Sequence, residues 1–176
     1  YVKEGSTLDK EALKRGTSIY VIDQVVPMLP SELSNGICSL NPFEDRLCIS
    51  VDMEIDREGD VVRHEIYESI INSKARMIYT DVSDMLEKNN RELIKKYDSG
   101  PSGVYSSIVK MHELAKILEQ KRDMRGSLDF DLEEAHITLN KEGIPVEVRA
   151  CERRSGNKLI EEFMLKANEV IAEHFA

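Results

Sequence analysis

Residues 46–73 read RLCISVDMEIDREGDVVRHEIYESIINS, and this stretch decides the fold class. From Leu47 to Ile55 apolar side chains alternate with polar ones, which is the pattern of a strand with one buried face. Residues 56–60 contain Gly59 and are typical of a turn, and residues 61–73 resume a strand. The stretch therefore predicts a β-hairpin in which Leu47, Ile49, Val51, Met53 and Ile55 share one face.

Helical and strand patterns surround this hairpin on both sides. Apolar spacing predicts helices over 8–15, from Thr80 (as the capping residue) onward, over 104–125 and over 159–175. Residues 17–26 are β-branched and aromatic and predict extended chain, and the runs 136–139 and 146–149 predict a second hairpin. We therefore expect an α+β fold in which antiparallel hairpins form a sheet with helices packed on one side.

Between the extended chain and the first hairpin lies VPMLPSELSNGICSLNP, residues 26–42. Its three prolines and its Asn35-Gly36 pair interrupt both helical and strand patterns, although apolar residues run through it. The composition predicts a stiff, apolar connector that is neither helix nor strand.

Composition limits the class of protein. A chain of 176 residues with 41% hydrophobic and 32% charged residues is typical of one globular domain. The net charge of −9 argues against a protein that binds nucleic-acid phosphates mainly through a net positive charge. No run approaches the ~20 apolar residues that span a bilayer, so we expect a cytoplasmic protein without membrane contact. Its three cysteines, Cys38, Cys48 and Cys151, are predicted to be buried, reduced thiols.

Four blocks of sequence carry a family resemblance. In chain order they are YVKEGSTLDKEALKRGTSIY (1–20), VPMLPSELSNGICSLNPFEDRLCISVDMEID (26–56), GSLDFDL (126–132) and NKLIEEFMLKANEVIAEHF (157–175). Together they resemble the central part of the catalytic domain of the ribonuclease II/ribonuclease R (RNB) family, and they are more similar to its ribonuclease R branch. The resemblance covers nearly the whole chain and is weakest over 87–105.

The resemblance implies processive 3′→5′ hydrolysis of single-stranded RNA with release of nucleoside 5′-monophosphates. In the family, two Mg²⁺ ions held by aspartates drive the reaction, and hard oxygen ligands suit that ion. Those aspartates precede the first block, and an arginine segment follows the last one. We therefore expect residues 1–176 to be a partial RNB-type catalytic domain without metal ligands, catalytic residues, cold-shock domain or S1 domain. Alone it is expected to be inactive and to oligomerise through surfaces exposed by truncation.

Four residues are predicted by the resemblance to hold the RNA 3′ end. Tyr20 matches a tyrosine that packs on the 3′ end, and Phe130 matches an aromatic residue that stacks on a base. Glu161 matches a carboxylate that contacts the terminal nucleotide, where acceptance from the ribose 2′-hydroxyl could favour RNA over DNA. Tyr79 matches a tyrosine along the RNA path.

Three of these residues also have a purely structural interpretation. Tyr20 could be a strand tyrosine half in the core, Phe130 could pack beside neighbouring leucines, and Glu161 with Glu162 could be helix-opening charges. A basic cluster of Arg149, Arg153, Arg154 and Lys158 could contact phosphates or form a solvated face. The four histidines show no ligand spacing, and none is predicted to be catalytic or to bind metal.

Two functions of other classes remain open beside the exoribonuclease. One is a non-catalytic domain of the same family that binds RNA ends or acts as a scaffold. The other is an α+β interaction domain that has kept only the family's sequence features.

Overall fold

A computed structural model describes residues 1–98, 103–128 and 134–176 of the chain. Within these residues the helices are α1 (Thr7–Arg15), α2 (Tyr79–Lys88), α3 (Arg91–Tyr97), α4 (Val104–Met124) and α5 (Ser155–His174). The strands are β1 (Ile19–Tyr20), β2 (Val25–Val26), β3 (Asp45–Ile55), β4 (Val61–Asn72), β5 (Glu134–Leu139) and β6 (Pro145–Cys151). The predicted α+β class is confirmed.

The strands pair as three separate two-stranded sheets in the described part of the chain, β1–β2, β3–β4 and β5–β6. Both predicted hairpins are present. In the second one His136 pairs with Arg149 in antiparallel register, and the register shifts at Thr138/Leu139. The extended chain over 17–26 is a short ribbon in which Tyr20 pairs with Val25.

The apolar face of β3 is buried only in the half nearest the turn. Val51 and Met53 are partly buried there, whereas Leu47 is 61% exposed and Ile49 77% exposed. The predicted alternation is right, but the face that it defines is exposed at the end that carries Leu47. A strand face is buried only where another element covers it, and the half of the hairpin nearest the turn is the part whose contacts reach α4 and α5.

The chain divides into two compact units, and the boundary between them crosses the β3–β4 hairpin. The first unit contains α1, β1, β2, the base of the hairpin and β5–β6. The second contains the rest of the hairpin and helices α2 to α5. Its core is a cluster of Met85, Ile108, Ala115 and Leu159. These residues come from α2, α4 and α5, so three helices build this core.

The connector over 26–42 contains helical structure that its prolines did not predict. Residues Glu32–Ile37 form a wide helical turn in which the backbone N–H of Cys38 donates to the carbonyl of Leu33 at 2.9 Å. The carbonyl of Pro30 accepts from the N–H groups of Leu33 and Ser34, both at 2.9 Å. Proline is compatible with this role because it lacks only the N–H, while its carbonyl is free to accept.

Two helix starts differ from their predictions. Helix α2 begins at Tyr79 and has no side-chain cap, so the prediction of Thr80 as its cap is wrong. Helix α5 begins at Ser155, earlier than predicted, and at its start Asn157 Oδ1 accepts from the backbone N–H of Arg154 at 3.4 Å. Helix α3 was not predicted, although Asn90 caps it by accepting from the N–H of Glu92 at 3.1 Å. No helix in the described part of the chain is both long and apolar enough to span a membrane.

The cysteines are free, as predicted, but they are not buried. Cys38 and Cys151 are exposed and Cys48 is partly exposed. The prediction of buried thiols is wrong because all three lie in the connector or in the hairpins rather than in the helical core.

The turn of the β3–β4 hairpin is built around Asp56 and Gly59. One carboxylate oxygen of Asp56 accepts from the N–H groups of Glu58 at 3.0 Å and Asp60 at 2.8 Å. Gly59 has φ +81° and lies against α4, where a Cβ atom would be 3.0 Å from Ile117 Cγ2. Lys121 of α4 forms an ion pair with Asp60. Gly59 therefore combines a left-handed backbone with a close helix contact.

We expect Gly59→Ala to lower the free energy of unfolding by about 1–2 kcal/mol from backbone strain alone, with a further loss from the contact with Ile117. Gly143→Ala is the matched control, because Gly143 has φ +77° and nothing within 4 Å of an added Cβ. Urea unfolding of both variants measures the difference. Equal losses would show that the contact with α4 contributes nothing.

Candidate functional site

Tyr20 lies on the exposed β1–β2 ribbon of the first unit. Its side chain is 78% exposed, so the alternative in which it is half in the core is wrong. The ribbon is tied to its surroundings, because Ser18 Oγ accepts from the N–H of Met28 at 2.9 Å and Arg15 donates to the carbonyl of Pro27 at 2.9 Å. The ring is therefore presented outward on an anchored strand, available to stack on a ligand.

Tyr79 is the first residue of α2 and is 51% exposed. It lines an apolar cleft of about 360 Å³ together with residues of α4 and α5 that include Met111 and Ile160. The start of α2 lies against the start of α5, where the N–H of Gly156 donates to Ser83 Oγ at 2.9 Å. A Cβ atom at Gly156 would be 2.6 Å from the carbonyl oxygen of Tyr79. The position of Tyr79 is therefore set by close packing between these two helices.

Glu161 and Glu162 are neighbours in α5 with opposite environments. Glu162 is 5% exposed, and its carboxylate accepts from Arg122 Nε of α4 at 3.0 Å. The Glu161 side chain is 39% exposed and forms an ion pair with Arg153 at 2.6 Å. Both residues lie in the second turn of the helix, so the interpretation as helix-opening charges is wrong. Glu162 fixes α5 to α4, and Glu161 remains accessible from solvent.

The basic cluster before α5 is neutralised by carboxylates. Arg149 pairs with Glu147 at 2.6 Å, and Lys158 pairs with Glu119 of α4 at 3.2 Å. Arg154 reaches α2, where it pairs with Asp84 at 2.6 Å and Glu87 at 2.7 Å. These contacts support a structural role for Arg154 and Lys158 rather than a phosphate-binding surface.

The contact between Arg154 and α2 changes the ionisation of both carboxylates. Hydrogen bonds from Arg154, and then from Ser155, lower the pKa of Glu87 from 4.5 to about 2. Hydrogen bonds from Arg154 and Lys88 also hold the pKa of Asp84 below its ordinary value. A carboxyl group with a lower pKa in the folded state stabilises that state above its unfolded pKa, and the stabilisation is lost as pH falls through the folded value.

We therefore expect the stability of the protein to fall between about pH 4.5 and pH 2, and to fall less steeply in Arg154→Gln. Urea unfolding at intervals across this range measures both slopes. Arg149→Gln is the control, because Arg149 contacts neither Asp84 nor Glu87. Parallel curves for the wild type and Arg154→Gln would exclude the α2–α5 ion pairs as the source of the acid sensitivity.

Phe130 and most of the GSLDFDL block lie outside the described residues, so the structure gives no position for this predicted stacking residue. In the parts of the chain that are described, no three His, Cys, Asp or Glu side chains are grouped so that they could hold a metal ion. His64 Nε2 and His174 Nδ1 lie 3.0 Å apart in a hydrogen bond between the hairpin and α5. The described residues therefore offer aromatic and carboxylate contacts for a ligand, and no cluster suited to a magnesium ion.

Two of the predicted residues, Tyr79 and Glu161, belong to the second unit and lie on helices that pack together, whereas Tyr20 belongs to the first unit. The bridge from Arg153 to Glu161 was not predicted, although both residues were singled out. Charges along a helix are expected to pair at a separation of three or four residues, and these two are separated by eight. No sequence pattern indicates that a side chain in the loop before α5 extends along the helix as far as its second turn.

Comparison with known proteins gives one consistent result. The model of the RNB domain matches residues 1–176. Ribonuclease R of Thermotoga maritima is 50% identical over 99% of this chain, which covers 24% of that protein. Ribonuclease R 1 of Lactococcus lactis is 49% identical over 99% of this chain, which covers 21% of that protein. The chain therefore spans about a quarter of the length of these curated relatives.

A solved structure also matches the fold. It is that of Mycoplasma genitalium RNase R in complex with ribose methylated single-stranded RNA, with a TM-score of 0.85 and 28% sequence identity. The match covers 98% of this chain and 26% of that one. Sequence and fold thus point to the same group of proteins.

Proposed function

Because the chain belongs to the RNB domain family, we propose that it is part of a 3′→5′ exoribonuclease that degrades single-stranded RNA processively to nucleoside 5′-monophosphates. Residues 1–176 form part of the catalytic domain of this enzyme and help to hold the 3′ end of the substrate. The observation that carries the proposal is the family match over the whole chain, together with 50% identity to a ribonuclease R.

In this proposal each predicted contact residue has a physical role. The exposed ring of Tyr20 and the ring of Phe130 stack on bases, and stacking tolerates any base, as an exonuclease without sequence preference requires. Tyr79, half-exposed beside its apolar cleft, lines the path of the strand. Glu161 accepts a hydrogen bond from the terminal ribose, whose 2′-hydroxyl distinguishes RNA from DNA.

Magnesium supports the reaction of the complete enzyme in this proposal, and its ligands lie outside this chain. The described residues contain no group of three suitable ligands, so no chemical step is assigned to them. Their contribution is to bind and orient the end of the strand. Placement of the reacting bond to within about an ångström has large effects on rate.

The isolated chain is then expected to bind RNA ends weakly and not to cleave them. It is also expected to self-associate, since the β1–β2 ribbon exposes Ile19, Tyr20, Val21, Ile22, Val25 and Val26 by about half or more of their surface. Contiguous apolar surface of this kind marks a contact area. Three free thiols agree with a reducing compartment, and we place the protein in the cytoplasm.

The test is degradation of a 5′-labelled single-stranded RNA with Mg²⁺, by this chain and by the full-length gene product that contains it. We expect only the full-length protein to shorten the RNA from its 3′ end. If neither shortens it while both bind it, the alternative holds, which is a non-catalytic family member that binds RNA ends or acts as a scaffold. If neither protein shortens or binds the RNA, both the exoribonuclease and the non-catalytic RNA-binding function are wrong.

A further inference from the structure

The loop between β6 and α5 places one guanidinium group on the carboxylate of Glu161. Arg153 Nε lies 3.0 Å from Glu161 Oε2, and Arg153 Nη2 lies 2.6 Å from Oε1 and 2.7 Å from Oε2. The guanidinium thus contacts both carboxylate oxygens with two of its nitrogens. This arrangement restricts the rotation of the carboxylate, which a single contact would not do.

The helix that carries Glu161 is itself held in place on its other side. Glu162 is turned inward and bonded to Arg122 of α4, and Arg154 joins the start of α5 to Asp84 and Glu87 of α2. Both the position of the Glu161 backbone and the direction of its carboxylate are therefore fixed before any ligand arrives.

The pair is also accessible. The Arg153 side chain is 30% exposed and that of Glu161 is 39% exposed, so a ligand can reach the carboxylate without breaking the helix packing. A carboxylate offers about four acceptor positions on its two oxygens, and the contacts with Arg153 leave acceptor capacity for a hydroxyl group. An oriented acceptor of this kind suits a neutral donor, such as a ribose hydroxyl, better than another anion.

We propose that Arg153 is a positioning residue that holds Glu161 in the orientation that recognises the 3′-terminal ribose. The inference rests on the proposed function, in which Glu161 contacts the terminal nucleotide, and it adds a residue to which the sequence resemblance gave no role. Arg153 acts through Glu161 rather than by touching the ribose. Lysine cannot replace it fully, because one ammonium group cannot present two nitrogens in a fixed plane.

The simplest alternative is that the pair merely fastens the loop to the helix. The two roles differ in what a mutation changes. A fastening role predicts the same loss of affinity for every RNA end. A positioning role predicts a loss only for ends that carry the hydroxyl that Glu161 accepts.

The experiment measures equilibrium binding of 5′-fluorescein oligoadenylates to the full-length protein in EDTA, by fluorescence anisotropy. One oligonucleotide ends in a ribonucleotide and the other in a 2′-deoxyribonucleotide. We expect the wild type to prefer the ribose end by roughly tenfold, the size of one hydrogen bond to a charged group. Glu161→Ala should abolish this preference, Arg153→Ala should abolish most of it, and the double variant should lose no more than Glu161→Ala alone.

Two further variants complete the design. Arg153→Lys should keep part of the preference. Arg149→Ala, which removes a neighbouring arginine that pairs with Glu147 and not with Glu161, should keep all of it. Affinity for the deoxyribose end should be the same in every variant, and this serves as the measure of correct folding.

Three results would overturn the inference. The first is that Arg153→Ala keeps the full ribose preference while Glu161→Ala loses it, and the second is that Arg153→Ala and Arg153→Lys lose the same affinity for both RNA ends. The third is that the wild type shows no preference for the ribose end. Failure of the proposed function is a separate result, because degradation in Mg²⁺ is assayed independently of binding in EDTA.

Discussion

Replacement of Arg122 by methionine is expected to lower the free energy of unfolding by about 3–5 kcal/mol, the range found when a buried ion pair loses one partner. Arg122 Nη2 lies 2.9 Å from Glu162 Oε1, and the Glu162 side chain is only 6% exposed. Without Arg122 this carboxylate would be left in the interface between α4 and α5 with little access to water. Urea unfolding followed by circular dichroism measures the loss.

The chain offers a matched control for this prediction at the C-terminal end of α4, where Arg125 contacts α5. Arg125 pairs with Glu169, also at 2.9 Å, but these side chains are 54% and 36% exposed. Arg125→Met should therefore cost only about 0–1 kcal/mol, as is usual for pairs at the surface. The double variant Arg122→Met with Glu162→Leu should recover most of the loss, since a buried pair exchanged for apolar residues is often neutral. A similar loss in Arg122→Met and Arg125→Met would show that burial does not decide the energy.

The parts of the fold with strong periodicity could be predicted from the sequence. The β3–β4 hairpin was predicted because residues 47–55 alternate and Gly59 breaks the pattern, and helix α4 because its apolar residues recur at helical spacing. Helix α3 was missed because it is a single short segment of seven residues. The exposure of Leu47 and Tyr20 could not be predicted either, because alternation shows which residues share a face and not what covers that face.

The candidate site also has features that the sequence could predict and features that it could not. The family resemblance supplied Tyr20, Tyr79 and Glu161, whereas composition alone gave no reason to choose Glu161 over Glu162. The structure separates these two by burial, since one pairs with Arg122 in the core and the other with Arg153 near the surface. The partners of the basic residues could not be predicted because they come from distant segments, as in the contact of Arg154 with Glu87. Such pairings depend on how helices pack, which local sequence does not encode.

Removal of the Tyr20 ring should have the largest effect on the proposed activity. Stacking of a base on an aromatic side chain contributes about 1–3 kcal/mol, which corresponds to between about fivefold and about a hundredfold in affinity. In the full-length protein we expect Tyr20→Ala to lower kcat/KM for degradation of single-stranded RNA by this factor. The loss should grow as the RNA shortens, because a short strand keeps few contacts besides those at its 3′ end. The last product that resists degradation should therefore be longer than that of the wild type.

Two variants test whether the ring or the ribbon is responsible. Tyr20→Phe keeps the stacking face and should retain most of the activity. Ile19→Ala removes the neighbouring exposed side chain of the same strand, which is 56% exposed, and should leave the final product length unchanged. Denaturing gel electrophoresis of 5′-labelled RNA gives both rates and product lengths. Equal losses in Tyr20→Ala and Ile19→Ala would mean that β1–β2 has a structural role and that Tyr20 does not contact the RNA. A loss confined to Tyr20→Ala, and largest on the shortest RNA, is what a stacking contact at the 3′ end requires.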